Sequence, residues 1–243
     1  MNEKIFFFHN PKAGGSSLTH LMRSRIPAEN CCPLIENDAV QHDALSGDYS
    51  GCRGYQVYAG HYGYDIFSAV NDGHCCITNF RHPALRLISL YNFFRYTVNL
   101  PDEDLYSERF FAVLFAKTVD FRAFMLTDDP RVEVYVRNAH YRQLTNSCWS
   151  LELKDSLADA CRLICDMPWY YICEYPELSL HWMRRVFRWE QATLPWENVG
   201  GDRGGRALRL SDIGSDIIDL IRAKNELDIE IYRYAVDHFL RVA

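Results

Sequence analysis

The residues Ile5-Phe6-Phe7-Phe8 are apolar without alternation, and Asn10-Pro11 closes the run. A strand with one wet face alternates apolar and polar side chains, whereas a strand covered on both faces does not. The run therefore reads as a buried strand of a parallel sheet. Pro11 to Gly15 must form a turn, because Leu18, Leu21 and Met22 then recur at helical spacing. The chain opens as strand, glycine turn and helix, which commits it to an α/β architecture.

The rest of the sequence extends this alternation. Tyr55 to Ala59 is a second expected strand, ending at Gly60-His61, and Cys75 to Phe80 is a third, ending at Arg81. Trp169 to Cys173 is a fourth. Pro83 suits the first turn of a helix, where its missing N–H costs nothing, and Leu85, Ile88 and Phe93 follow along that helix. Helices are also expected over 104–127, along Leu157, Ala160, Cys161 and Ile164, over about 177–189, and after an N-cap at Ser211. Ile231, Tyr234, Ala235 and Phe239 mark a last helix. Residues 27–54 and the glycine-rich stretch 200–206 read as loops. The expected fold is three layers around a central parallel sheet, in a single domain spanning 1–243.

Composition narrows the partners. With 48% hydrophobic and 24% charged residues, the chain is globular and not disordered. A net charge of −6 disfavours nucleic acid, which needs a broad basic face, but leaves room for a small anion held by a local cation cluster. The nine cysteines include no pair of CxxC motifs, so reduced thiols are expected and a zinc site is not. No apolar run reaches the roughly 18 residues of a membrane span. Met1 to Lys4 leads straight into the first strand with no signal-peptide core, so a cytoplasmic location is expected.

The turn carries the first candidate site. A glycine turn between a strand and a helix converges backbone N–H groups on an anion, and the helix N-terminus adds partial positive charge. Lys12 supplies a full charge; Ser16 and Ser17 supply hydroxyl donors. A Gly-Gly pair alone would mean only a turn, but the flanking strand and helix make it a phosphate cradle. In a nucleoside triphosphatase loop the lysine follows the last glycine. Here Lys12 precedes both Gly14 and Gly15.

The segment Phe8-His9-Asn10-Pro11-Lys12-Ala13-Gly14-Gly15-Ser16-Ser17-Leu18 resembles the 5′-phosphosulfate loop of sulfotransferases that use 3′-phosphoadenosine-5′-phosphosulfate (PAPS). The branch it looks most like holds the heparan sulfate 2-O-sulfotransferases and many bacterial carbohydrate sulfotransferases. The resemblance implies a P-loop-like fold. It implies that Lys12 contacts the bridging and phosphate oxygens of the donor, and that the amides from Ala13 through Gly14, Gly15 and Ser16 to Ser17 hold the 5′-phosphate.

A second segment carries the likeness further. Arg81-His82-Pro83-Ala84-Leu85-Arg86-Leu87-Ile88-Ser89-Leu90-Tyr91 fits the family pattern R-x-P-x-x-R-x-x-S-x-Y. Read alone, Arg81 would be a surface residue and Ser89 a helix filler. The resemblance implies that both bind the 3′-phosphate, which separates PAPS from ATP. His82 departs from the family's Asp or Asn. Looser matches lie at Asn138 to Leu144, at Asn198-Val199 with the following glycine loop, and at Asp228 and Tyr232. Arg203 of that loop is taken as a further donor contact.

Transfer to a hydroxyl needs a base near neutral pH, a role suited to histidine. His61, in Gly60-His61, follows the second strand and matches a Gly-His pair that supplies the base in the family branch. The competing reading is a strand-end histidine satisfied by backbone. His140 and then His9 stand next. Lys12 would stabilise charge on the leaving phosphate. PAPS is the expected co-substrate and PAP, the 3′,5′-bisphosphate, the product; no metal is expected. The acceptor would be a carbohydrate or small metabolite, met on a side lined by residues 91–145. The alternatives are a P-loop small-molecule kinase and a non-catalytic nucleotide-binding module. The oligomeric state stays open.

Overall fold

A computed structural model describes residues 4–33, 47–189 and 207–243. Four parallel strands form one sheet in the order β2-β1-β3-β4: β1 is Ile5–Phe8, β2 Val57–Gly60, β3 Cys75–Phe80 and β4 Tyr171–Ile172. Every residue of β1 is buried, as its unbroken apolar run requires. Side chains alternate between the two faces of a strand. Phe6 and Phe8 turn to one face, where their ring centroids lie 5.1 and 5.6 Å from that of Phe67. Phe7 turns to the other.

The helices follow in chain order. α1 is Gly15–Arg23, α2 Tyr64–Val70 and α3 Pro83–Tyr96, with Pro83 in the first turn. α4 (Asp102–Leu105), α5 (Phe111–Thr118), α6 (Phe121–Leu126) and α7 (Pro130–Val136) lead to α8 (Ala139–Thr145) and α9 (Leu157–Asp166). α10 (Pro176–Phe187), α11 (Ser215–Lys224) and α12 (Glu226–Val242) complete the described set. The expected α/β class and parallel sheet are present, with helices flanking the sheet.

Several boundaries differ from the sequence expectation, and the second strand, expected over Tyr55 to Ala59, is Val57–Gly60. The fourth strand shrinks to Tyr171–Ile172 because Trp169 and Tyr170 turn away to donate hydrogen bonds to Ser179 O (2.7 Å) and Ala235 O (2.8 Å). The helix expected over 104–127 is broken: Asp120 caps a new helix by accepting from Ala123 N–H at 2.8 Å. Ser211 is not an N-cap; it lies in the short turn Leu210–Asp212, and α11 starts after Gly214.

Buried side chains gather in two clusters. One joins the sheet to α1, α2, α8, α9, α10 and α12; the other joins α3, α5, α6, α7 and α11. All nine cysteines are free thiols. No helix among the described residues is long and apolar enough to cross a membrane.

Candidate functional site

In an open parallel sheet, ligands bind outside the carboxyl ends of the strands, where the strand order reverses. Here β2 and β3 lie on opposite sides of β1, so the reversal falls at the end of β1. The chain leaving β1 there is the lysine-glycine turn. The chain leaving β2 begins at His61, and the chain leaving β3 begins at Arg81. The topology thus brings three of the sequence candidates to one edge.

The register explains how the turn is seated. Phe8 is level with Gly60 and with Thr78, and Asn79 with Tyr171. One residue on, His61, His9, Asn79 and Tyr171 share a single rung and one face of the sheet. The His9 and His61 ring centroids are 4.8 Å apart, the spacing of neighbouring strands. Asn79 is fully buried and binds the turn three times: it accepts from Asn10 N–H (2.8 Å) and donates to Asn10 O (3.0 Å) and Ala13 O (2.8 Å). A Cβ on Gly14 would sit 2.9 Å from Tyr171 Cε1, and Gly14 has φ +80°. A Cβ on Gly15 would overlap the His9 ring. Both glycines are therefore needed, one for its left-handed backbone and contact with Tyr171, the other for contact with His9.

Lys12 also takes a left-handed backbone, with φ 66°, a conformation that costs a non-glycine residue energy and clusters at binding loops. Its Nζ lies 3.7 Å from the centroid of the Phe93 ring on α3. Ser89 stands one helical turn before Phe93 on the same face of α3, half-buried, so Ser89 and Lys12 come to the same side of the edge. Arg81 Nη1 donates to Lys12 O at 3.1 Å, which joins the two motifs directly.

The parts of the turn are not equivalent. The N–H of Ala13 closes the turn on Asn10 O at 3.3 Å, so in this conformation it serves the loop and not a ligand. The first-turn amides of α1, from Gly15 to Ser17, have no carbonyl within the helix to donate to. Ser16 is exposed and Ser17 is 8% exposed. Arg203, with the whole 200–206 loop and Asn198-Val199, lies outside the described residues.

His140 does not stand at the carboxyl edge with Lys12, His61 and Arg81. It is buried in α8, its Nε2 is 2.9 Å from Thr78 Oγ1, and its ring centroid is 4.5 Å from that of Phe80. Burial, helped by the Arg86 charge, pushes its pKa down to about 3, so it is neutral at pH 7 and shielded from an acceptor. The neighbouring residues brace the sheet. Gln143 Nε2 donates to both His9 O (3.1 Å) and Tyr62 O (2.9 Å), clipping β1 to β2 beyond their last ladder pair. Tyr141 N–H donates to buried Asp228 at 2.8 Å, and Asp228 lies 3.9 Å from buried Arg86. The middle Arg of the second motif and Asp228 of the last helix are thus a packing pair. Much of the 91–145 stretch likewise serves packing: its buried side chains build the helical cluster.

Sequence reasoning missed Asn79, Tyr171, Phe93 and Gln143. The first two were signalled only by their level with His9, which requires the strand register. Phe93 and Gln143 sit on helices whose docking no local pattern specifies.

The fold and edge define an α/β protein with a lysine-glycine turn at the switch point of a parallel sheet. Neither a scan against protein-family models nor a search of curated proteins finds a match for the chain.

Proposed function

We propose that this chain is a PAPS-dependent sulfotransferase with a P-loop-like fold of that family, acting on a hydroxyl of a carbohydrate or small metabolite. The observation that carries the reading is the meeting of Lys12, Arg81 and His61 at the carboxyl edge, with Arg81 bonded to Lys12 O at 3.1 Å. The amides of the first turn of α1 and Lys12 hold the 5′-phosphosulfate, and Arg81 with Ser89 holds the 3′-phosphate. His61 takes the hydroxyl proton as oxygen attacks sulfur, the S–O bond to the 5′-phosphate breaks, and Lys12 neutralises the charge left on that phosphate. The transferred group bears less charge than a phosphoryl group, so positioning and fixed cations supply most of the catalysis. The order of Lys12 before the glycines supports this reading over a small-molecule kinase.

The test is calorimetry with PAP, AMP and ATP, followed by sulfuryl transfer from PAPS to a panel of sugars and phenols. PAP is expected to bind at least about tenfold more tightly than AMP, because a charged bidentate contact is worth roughly 1.5–3 kcal/mol. ATP binding as tight as PAP binding would overturn the assignment.

A further inference from the structure

His9 is confined on several sides. Its ring lies parallel to Phe7, with centroids 5.4 Å apart and planes 4° off. On Gly15 its Cγ, Cδ2 and Nε2 leave no room for a Cβ. Its backbone is held at both ends, by donation to Gly60 O at 3.1 Å and by acceptance from Gln143 Nε2 at 3.1 Å. His61 is half-buried, and its ring meets His9 with centroids at 4.8 Å and planes tilted by 52°. The same Gln143 amide holds the carbonyl of Tyr62, the next residue.

We propose that His9 is a positioning residue. Its ring is a fixed wall that orients His61, and through Gly15 that wall is packed against the first turn of the donor loop. The inference rests on the reading of His61 as the base. A base must stand within hydrogen-bond reach of the proton it takes, and a shift of about 1 Å can cost on the order of 100-fold in rate. A half-buried ring at the end of a strand has several rotamers open to it unless a neighbour excludes them. His9 is one such neighbour, and its contact with Gly15 makes the wall and the anion seat one packed unit.

The test compares His9→Ala, which removes the wall, with His9→Phe, which keeps a ring against Phe7, Gly15 and His61. Carbon-13 relaxation of the labelled His61 ring in the ligand-free protein reads its order directly. His61 is expected to be ordered in the wild type and in His9→Phe, and mobile in His9→Ala. PAP affinity stays within about threefold in all three, because the donor reading gives the phosphates to Lys12, Arg81, Ser89 and the first-turn amides, none of which these substitutions remove. With an acceptor from the panel, His9→Ala lowers kcat by about tenfold or more at unchanged KM for PAPS, and His9→Phe restores most of it. Unchanged His61 order in His9→Ala overturns the proposal. Failure of PAP to bind the wild type would sink the donor reading alone, since the ring measurement needs no ligand. Gly15→Ala guards against a misfolded His9→Ala. Its Cβ pushes the His9 ring aside, so it must also loosen His61 in the ligand-free protein, and full His61 order there counts against the proposal.

Discussion

The carboxyl edge of the sheet and the helical cluster beside it both contain fully buried side chains, but they use burial differently. In the helical cluster, Leu87, Phe124, Val132 and Val136 are at most 1% exposed, and their role is packing. At the edge, the buried polar side chains Asn79 and Gln143 direct their hydrogen bonds at the backbone of the turn and of the histidine rung. A buried amide costs free energy unless its groups are paired, and Asn79, bonded through both its oxygen and its nitrogen, meets that cost while fixing a conformation that apolar packing cannot specify. Between the two regions, Arg86 and Asp228 form a buried pair.

This contrast is open to attack by substitution. The largest expected effect is at the edge: His61→Ala lowers turnover by about 10²–10⁴-fold while calorimetry finds PAP affinity nearly unchanged. Near-normal turnover would remove His61 as the base, and the buried, neutral His140 could not inherit the role. The converse change is Phe124→Ala in the helical cluster. It should cost about 3–5 kcal/mol in denaturant unfolding, with PAP affinity within about twofold. A large loss of PAP binding at temperatures where the variant is folded would mean that the cluster shapes the donor site.

Arg81→Ala sharpens the comparison within the edge. Arg81 holds Lys12 O, so its loss should weaken AMP somewhat through the loosened turn. PAP should lose roughly 1.5–3 kcal/mol beyond that, because it alone carries the 3′-phosphate. Equal losses in paired titrations would leave Arg81 a purely structural brace. The effect closest to wild-type behaviour at neutral pH concerns acid stability. His140 falls from an ordinary value of 6.5 to about 3 in the folded protein, so between those values the unfolded chain binds the extra proton. Its contribution is complete above about pH 6.5 and declines as pH falls, by up to about 1.4 kcal/mol per pH unit. His140→Gln should flatten that part of a stability–pH curve measured by urea unfolding; an unchanged slope would place its origin elsewhere.

Local sequence made the first and third strands legible to the residue, Ile5–Phe8 as an unbroken apolar run and Cys75–Phe80 as a short, largely apolar segment closed by Arg81 and Pro83. It also located the turn, with Lys12 ahead of Gly14 and Gly15, and put His61 and Arg81 at strand ends. It did not reveal that the segment after Trp169 would give only a short edge strand, since Trp169 and Tyr170 found hydrogen-bond partners on α10 and α12. It also misplaced His140: a histidine in an amphipathic context looks the same whether it faces solvent or a Phe80 ring.

The sequence by itself determined the strand–turn–helix opening, the glycines that let the turn form, and the order of charges around it. These are local properties, fixed by periodicity and by backbone freedom over a few residues. Only the tertiary structure decided which residues share a rung. Parallel strands have no connecting hairpin to set their register, so the alignment of His61, His9, Asn79 and Tyr171 depends on how the crossover helices pack on the sheet. The hydrogen-bond partners of His9 and the turn after it, Asn79 and Gln143, stand 66 to 134 positions away in sequence, and only the packed core brings them there.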